Sequence, residues 1–227
     1  MDVIVRSTLG LDRDEHETFL ADVIAGLTDS PKRLGAKYFY DAAGSQLFEE
    51  ITQLPEYYPT RTEMSILRAH AAAIVGPVAP GTALVEFGSG STAKVRVLLD
   101  AAPSLAAYVP VDISAEFLGT EATRMQEDYP HLKVLPVAAD FTGLFELPPP
   151  GRGRPLVGFF PGSTIGNFEP HETDAFLRRA ARILGPSSRL IVGVDLVKDE
   201  RVLHAAYNDA AGVTARFNLN VLTRINR

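Results

Sequence analysis

Between residues 83 and 197 the chain carries five apolar, β-branched runs that end in glycine or a polar side chain, and four of them are followed by a helix-like span. The runs cover 83–88, 107–112, 133–140, 155–162 and 188–197. Helical spacing follows near 92–102, 115–128, 171–184 and 199–217. Strands this apolar must be covered on both faces, and their alternation with helices predicts a parallel sheet. Crossovers between parallel strands are right-handed, so the expected fold is α/β, a Rossmann-like doubly wound and mostly parallel sheet. Upstream, residues 15–27, 44–52 and 60–74 read as helices. The expected organisation is a helical segment over 1–75 and the sheet domain over 76–227. The run 147–155, rich in proline and glycine, reads as a surface connection.

Composition narrows the function classes. The chain has 227 residues, 46% hydrophobic and 22% charged, an ordinary globular balance. Its formal charge of −6 argues against a nucleic-acid partner, which needs a basic face. Without cysteine there is no disulfide framework or thiolate ligand, and no metal site is expected. The opening MDVIVRSTLGLDRDEHE places charges close behind a very short apolar run, so it does not read as a secretory signal. With no apolar stretch of about 20 residues, no membrane association is expected and the cytoplasm is the expected location.

In doubly wound sheets, ligands bind outside the carboxyl ends of the strands. Here those ends carry Gly88-Ser89-Gly90, Asp112, Asp140-Phe141, the string from Gly162 to Asn167, and Asp195 with Lys198. Each cluster could be turn chemistry alone, but five in succession weaken that reading. The glycines at 88 and 90 allow a tight turn and close approach of a ligand to bare backbone. Asp112 can accept from two ribose hydroxyls, which serves a nicotinamide dinucleotide and S-adenosylmethionine equally. Asp140 followed by Phe141 suits an adenine, with the turn or helix cap as the alternative for the carboxylate. Lys94, in the first turn of a helix whose dipole disfavours cations there, suggests a ligand carboxylate or a solvated surface lysine. Tyr38, Tyr40, Tyr57 and Tyr58 can close a pocket while directing hydrogen bonds, or can pack the helical segment.

Longer strings carry a resemblance: Lys37-Tyr38-Phe39-Tyr40-Asp41, Gly44 to Phe48, Leu54 to Glu63, Gly162 to Asn167, Asp195 to Asp199, and Ala206 to Thr214. From about Pro31 to Arg227 the chain resembles the S-adenosylmethionine-dependent histidine Nα-methyltransferases of ergothioneine biosynthesis, which have a class I methyltransferase fold. The resemblance implies S-adenosylmethionine as cofactor, held by Gly88, Lys94, Asp112, Asp140 and Phe141. It implies L-histidine as the small-molecule substrate, held by Tyr40, Tyr57, Asn167 and Tyr207, with Tyr40 on the imidazole side. No residue is assigned as a general base. Phe87 stands where a leucine is usual, and Pro161 precedes the GSTIGN string.

Family members continue past the position of Arg227, with two more strands and the residues that read the imidazole. The last two strands are therefore expected to be absent. A full-length form is expected to be monomeric, and the 227-residue chain to self-associate through residues 190–194. The alternatives are an Nα-methyltransferase for another aromatic amino acid, an inactive cofactor-binding remnant, and a nicotinamide dehydrogenase.

Overall fold

A computed structural model describes residues 5–6, 15–148 and 153–227. Most of the opening segment and the middle of the proline-glycine connection lie outside the described residues. Strand β2 (Ala83–Phe87) is buried along its whole length. It pairs in parallel with β3 (Ala107–Asp112) on one side and with β6 (Leu156–Phe160) on the other. Beyond β3 lie β5 (Val137–Ala138) and then β1 (Val5–Arg6), with β4 (Lys133–Val134) also on β3. Beyond β6 lies β7 (Arg189–Val192), and every pairing is parallel. The order β1-β5-β3-β2-β6-β7 reverses direction at β2. That reversal opens a crevice at the carboxyl end of β2, where such sheets take ligands.

The side-chain alternation of the strands builds two cores. Leu84, Tyr108, Val157 and Phe159 face helices α3 (Tyr58–Val75), α4 (Ala93–Ala101) and α5 (Ala115–Asp128), meeting Leu67, Leu98 and Met125. Val85, Phe87, Val109, Val111 and Phe160 face α6 (Pro170–Leu184), meeting Phe176, Ala180 and Leu184. Phe87 thus fills an aromatic cluster, with Phe145, Phe160 and Phe176 packed edge-on against it. A Glu169–Glu172 capping box and Pro170 start α6, both strong helix-entry signals.

By contact, one compact unit comprises Glu63–Asp195 with the strand Val5–Arg6, and the other comprises Leu196–Arg227 with residues 15–62. The contact boundary thus falls at Glu63, inside the helical segment read over 1–75. Leu67, Ala71 and Val75 are buried in the core of the sheet, so most of α3 belongs with it. The second unit contains α1 (Glu15–Thr28), α2 (Ala42–Gln53), α7 (Glu200–Tyr207) and α8 (Val213–Ile225). Its core is Ile51, Tyr57, Ala206 and Val213, flanked by Phe48 and Phe217.

Three further boundaries differ from the sequence reading. The run 133–140 splits into β4 and β5 because Pro136, between them, has no N–H for the ladder. The run 188–197 leaves the strand after Val192. The single helix read over 199–217 is two, broken where Gly212 takes φ +68°. Among the described residues, no helix is long and apolar enough to cross a membrane.

Candidate functional site

The loop leaving β2 is pinned to β3, since Gly88 and Ser89 both donate their N–H to the Val111 carbonyl, at 2.9 and 3.1 Å. Gly88 has φ +80°, and a Cβ there would stand 3.2 Å from the Phe141 ring. Glycine is therefore favoured twice over, by conformation and by space, and two residues singled out in the sequence are close neighbours. At Gly90 an added Cβ would meet nothing within 4 Å, so bare backbone faces open space.

Asp112 closes β3. Its Oδ1 accepts from the Ser114 N–H at 3.0 Å. Burial raises its pKa above the usual carboxylate value, against the opposing pull of the Ser114 and Ile113 N–H groups. Asp112 is paired in register with Ala138, which sets Asp140 just beyond the end of the neighbouring strand. Asp140 Oδ1 accepts from both the N–H and the hydroxyl of Thr142, at 2.8 and 2.5 Å. The turn role weighed for this residue is therefore real. Phe141 packs at 5.6 Å from Phe160, which fixes the plane of its ring.

Lys94 has a protein counter-charge that its helix position alone did not reveal. Its ammonium lies 2.6 Å from Glu63 Oε2, and both side chains are only 16% exposed. Glu63 also accepts from the Gly162 N–H, at 2.9 and 3.0 Å to its two oxygens. Sequence reasoning missed Glu63: it stood inside the Leu54–Glu63 string without a role of its own. The one available signal was the unfavourable cation at Lys94, which called for an anion.

Two buried polar atoms beside this loop, Glu86 Oε1 and Ser89 Oγ, have no hydrogen-bond partner among the described residues. Such orphans are uncommon in folded proteins. Together with the open backbone at Gly90 and the Asp112 carboxylate, they suit a polar ligand laid over the strand ends.

Asn167 ends a short turn, Thr164–Asn167, after β6 and is exposed. The turn begins at Ser163, whose φ of +56° is uncommon for a residue with a side chain. Ser163 Oγ accepts from the Asp195 N–H at 2.9 Å, which anchors it. Tyr40, Tyr57 and Tyr207 belong to the second unit. Tyr57 is 6% exposed and Tyr207 53% exposed, and their rings meet edge-on at 5.8 Å. Tyr40 stands edge-on to Phe48 and Phe217, each at 5.4 Å. Burial, and then the neighbouring Tyr207, push the Tyr40 phenol up to about 12, so it stays a neutral hydroxyl at physiological pH.

Residues 19–227 match the family described as "Histidine-specific methyltransferase, SAM-dependent". The chain is 46% identical over all its length to a protein of Mycobacterium tuberculosis named histidine N-alpha-methyltransferase, and covers 70% of that protein. It is 48% identical over 93% of its length to the protein of the same name from Mycolicibacterium smegmatis, covering 66% of it. A Neurospora crassa protein named ergothioneine biosynthesis protein 1 is 35% identical over 87% of this chain, which covers 23% of that protein.

Proposed function

Because the chain belongs to the S-adenosylmethionine-dependent, histidine-specific methyltransferase family, we propose that it moves methyl groups from S-adenosylmethionine to the α-amine of L-histidine, giving the trimethylated betaine. The observation that carries this reading is the close approach of the Phe141 ring to the side-chain-free Gly88, where a Cβ would stand 3.2 Å from it, at the switch point of the sheet, with Asp112 on the adjoining strand. In this reading Asp112 takes the ribose hydroxyls, Phe141 and Asp140 the adenine, and Lys94 the amino-acid carboxylate. Glu86 Oε1 and Ser89 Oγ, buried and unpartnered among the described residues, fit a polar group in this place. When bound, the donor supplies an electrophilic methyl carbon on a sulfonium.

What is left to the chain is positioning and exclusion of water. The α-amine must arrive unprotonated with its lone pair on the methyl carbon, and no side chain is assigned as the base. By the resemblance Asn167 of the first unit is assigned to the amino acid; within the second unit Tyr57 and Tyr207 are assigned to it and Tyr40 to the imidazole side, with a hydroxyl that does not ionise near neutral pH. The chain spans 70% and 66% of the two mycobacterial relatives, so the activity of the whole protein is part of this proposal.

The test is incubation with methyl-labelled S-adenosylmethionine and each of several aromatic amino acids, with mass spectrometry of the products. Histidine carrying up to three labelled methyl groups is the expected outcome. Methylation of a tryptophan derivative in preference to histidine would reassign the substrate. Failure to bind S-adenosylhomocysteine at all would remove the donor assignment.

A further inference from the structure

We infer that Glu63 is a positioning residue of the donor site: it aims the Lys94 ammonium and pins the Gly162 backbone at the carboxyl end of β6. The inference rests on the donor reading of Lys94 given above. Glu63 is carried on α3, whereas Lys94 is on α4 and Gly162 follows β6, so one carboxylate joins three elements of the first unit. Its two oxygens share the Gly162 N–H at 2.9 and 3.0 Å, and Oε2 also takes the ammonium at 2.6 Å. A carboxylate held from two sides cannot swing away, and that gives Lys94 a fixed direction.

The surrounding backbone is shaped for this carboxylate. A Cβ at Gly193 would stand 1.9 Å from Glu63 Oε1, and one at Gly162 would stand 3.4 Å from Lys94 Nζ. Gly162 also has φ +82°, where a side chain is strained. Both strand ends bordering Glu63 are thus bare.

Lysine needs such a partner more than arginine would. Its ammonium is a point charge on a flexible stem, with three donors and no fixed fork. Near the amino end of α4 the helix dipole pushes it outward, toward water. With one N–H engaged by Glu63, the other two remain for the carboxylate of the donor's amino-acid part. Glu63 also repels that carboxylate. It also offsets part of the Lys94 charge; the Gly162 N–H draws off part of the Glu63 charge in turn, and the fixed direction given to the ammonium outweighs the repulsion that is left.

The test compares two ligands on the 227-residue chain by calorimetric titration: S-adenosylhomocysteine, which has the amino-acid part, and adenosine, which lacks it. Glu63→Gln keeps the length and an acceptor for Gly162 but removes the charge. It is expected to weaken S-adenosylhomocysteine about tenfold or more, as loss of a charge-assisted contact does, and to leave adenosine unchanged. Lys94→Gln is expected to do the same, and the double variant no more than either single one. Equal or tighter binding of S-adenosylhomocysteine by Glu63→Gln, or a matching loss for adenosine, overturns the inference while leaving the donor reading intact. If the unaltered chain binds neither ligand, the donor reading falls and takes the inference with it.

Discussion

Tyr108 on β3 donates its phenolic hydrogen to Glu86 Oε2 on the neighbouring strand β2, and both side chains are fully buried. A carboxylate in this place would be desolvated on all sides, and its second oxygen has no partner among the described residues. Burial therefore pushes the Glu86 pKa up to about 8, against the pull of the Tyr108 bond and the Lys94 charge. Near neutral pH the group is mainly a carboxylic acid. The same burial, and then the Glu86 charge, raise Tyr108 well above its ordinary value.

Folding stability should then fall as pH rises from about 4.5, the ordinary value for the acid, to about 8, its value in the fold. In that window the folded chain holds a proton that the unfolded chain releases, and each released proton favours unfolding. Urea denaturation at a series of pH values should show the decline. Glu86→Gln, which keeps an acceptor for Tyr108 and cannot ionise, should flatten it. An unchanged slope in that variant would mean that Glu86 is already charged in the fold.

Asp112→Ala is expected to weaken S-adenosylhomocysteine by about 2–4 kcal/mol, the scale of two charge-assisted hydrogen bonds lost from a partly buried site. The carboxylate lies at the open end of β3, with Oδ1 already steadied by Ser114. Calorimetric titration of the variant checks this. Undiminished affinity would reduce Asp112 to a turn residue.

Asn167→Ala should weaken the amino-acid substrate much more than the donor. Its exposed position at the end of the Thr164–Asn167 turn leaves it free of the buried packing that positions Phe141. Histidine affinity that survives the substitution, measured alongside unaltered S-adenosylhomocysteine binding, would remove Asn167 from the substrate set.

The sheet was legible because its strands are long apolar runs: β2, β3 and β6 fall within the predicted spans, and Asp112 closes β3 as read. Strand β1 escaped notice because two residues, Val5–Arg6, make no pattern. The Glu63–Lys94 pair was hidden for a different reason. It joins two helices through space, and no spacing along the chain encodes it. The break between α7 and α8 was encoded, but in turn chemistry and not in hydrophobic periodicity. Asp209, 6% exposed, accepts from the Val213 and Thr214 N–H groups, each at 2.8 Å, and so caps α8 from outside it.

Asp209→Ala should accordingly cost about 1–2 kcal/mol of stability, the usual range for a lost N-terminal cap. Asp209→Asn, which retains one acceptor, should cost less. Chemical denaturation of both variants checks the order. Equal stability of the alanine variant would show that packing of Val213 in the core of the second unit is enough to start the helix.

Strand β7 ends the sheet, and its partner on the inner side is β6. Among the described residues no strand lies on its outer side. The strand reads Arg-Leu-Ile-Val, with no proline and no charge past its first residue. Just beyond it Val194 is 60% exposed. Natural sheets blunt such edges with charge, proline or a cover, because open N–H and C=O groups template pairing with another chain. The 227-residue chain is therefore expected to self-associate as its concentration rises, with β7 of one copy meeting β7 of another. Size-exclusion chromatography with light scattering over a range of loading concentrations should show the mass increasing. Val194→Lys, a charge placed where the edge leaves the sheet, should shift the association to higher concentration and leave S-adenosylhomocysteine binding unaffected. A monomer mass at every concentration would show that the edge is inert, and that the twist and shortness of a four-residue strand are protection enough.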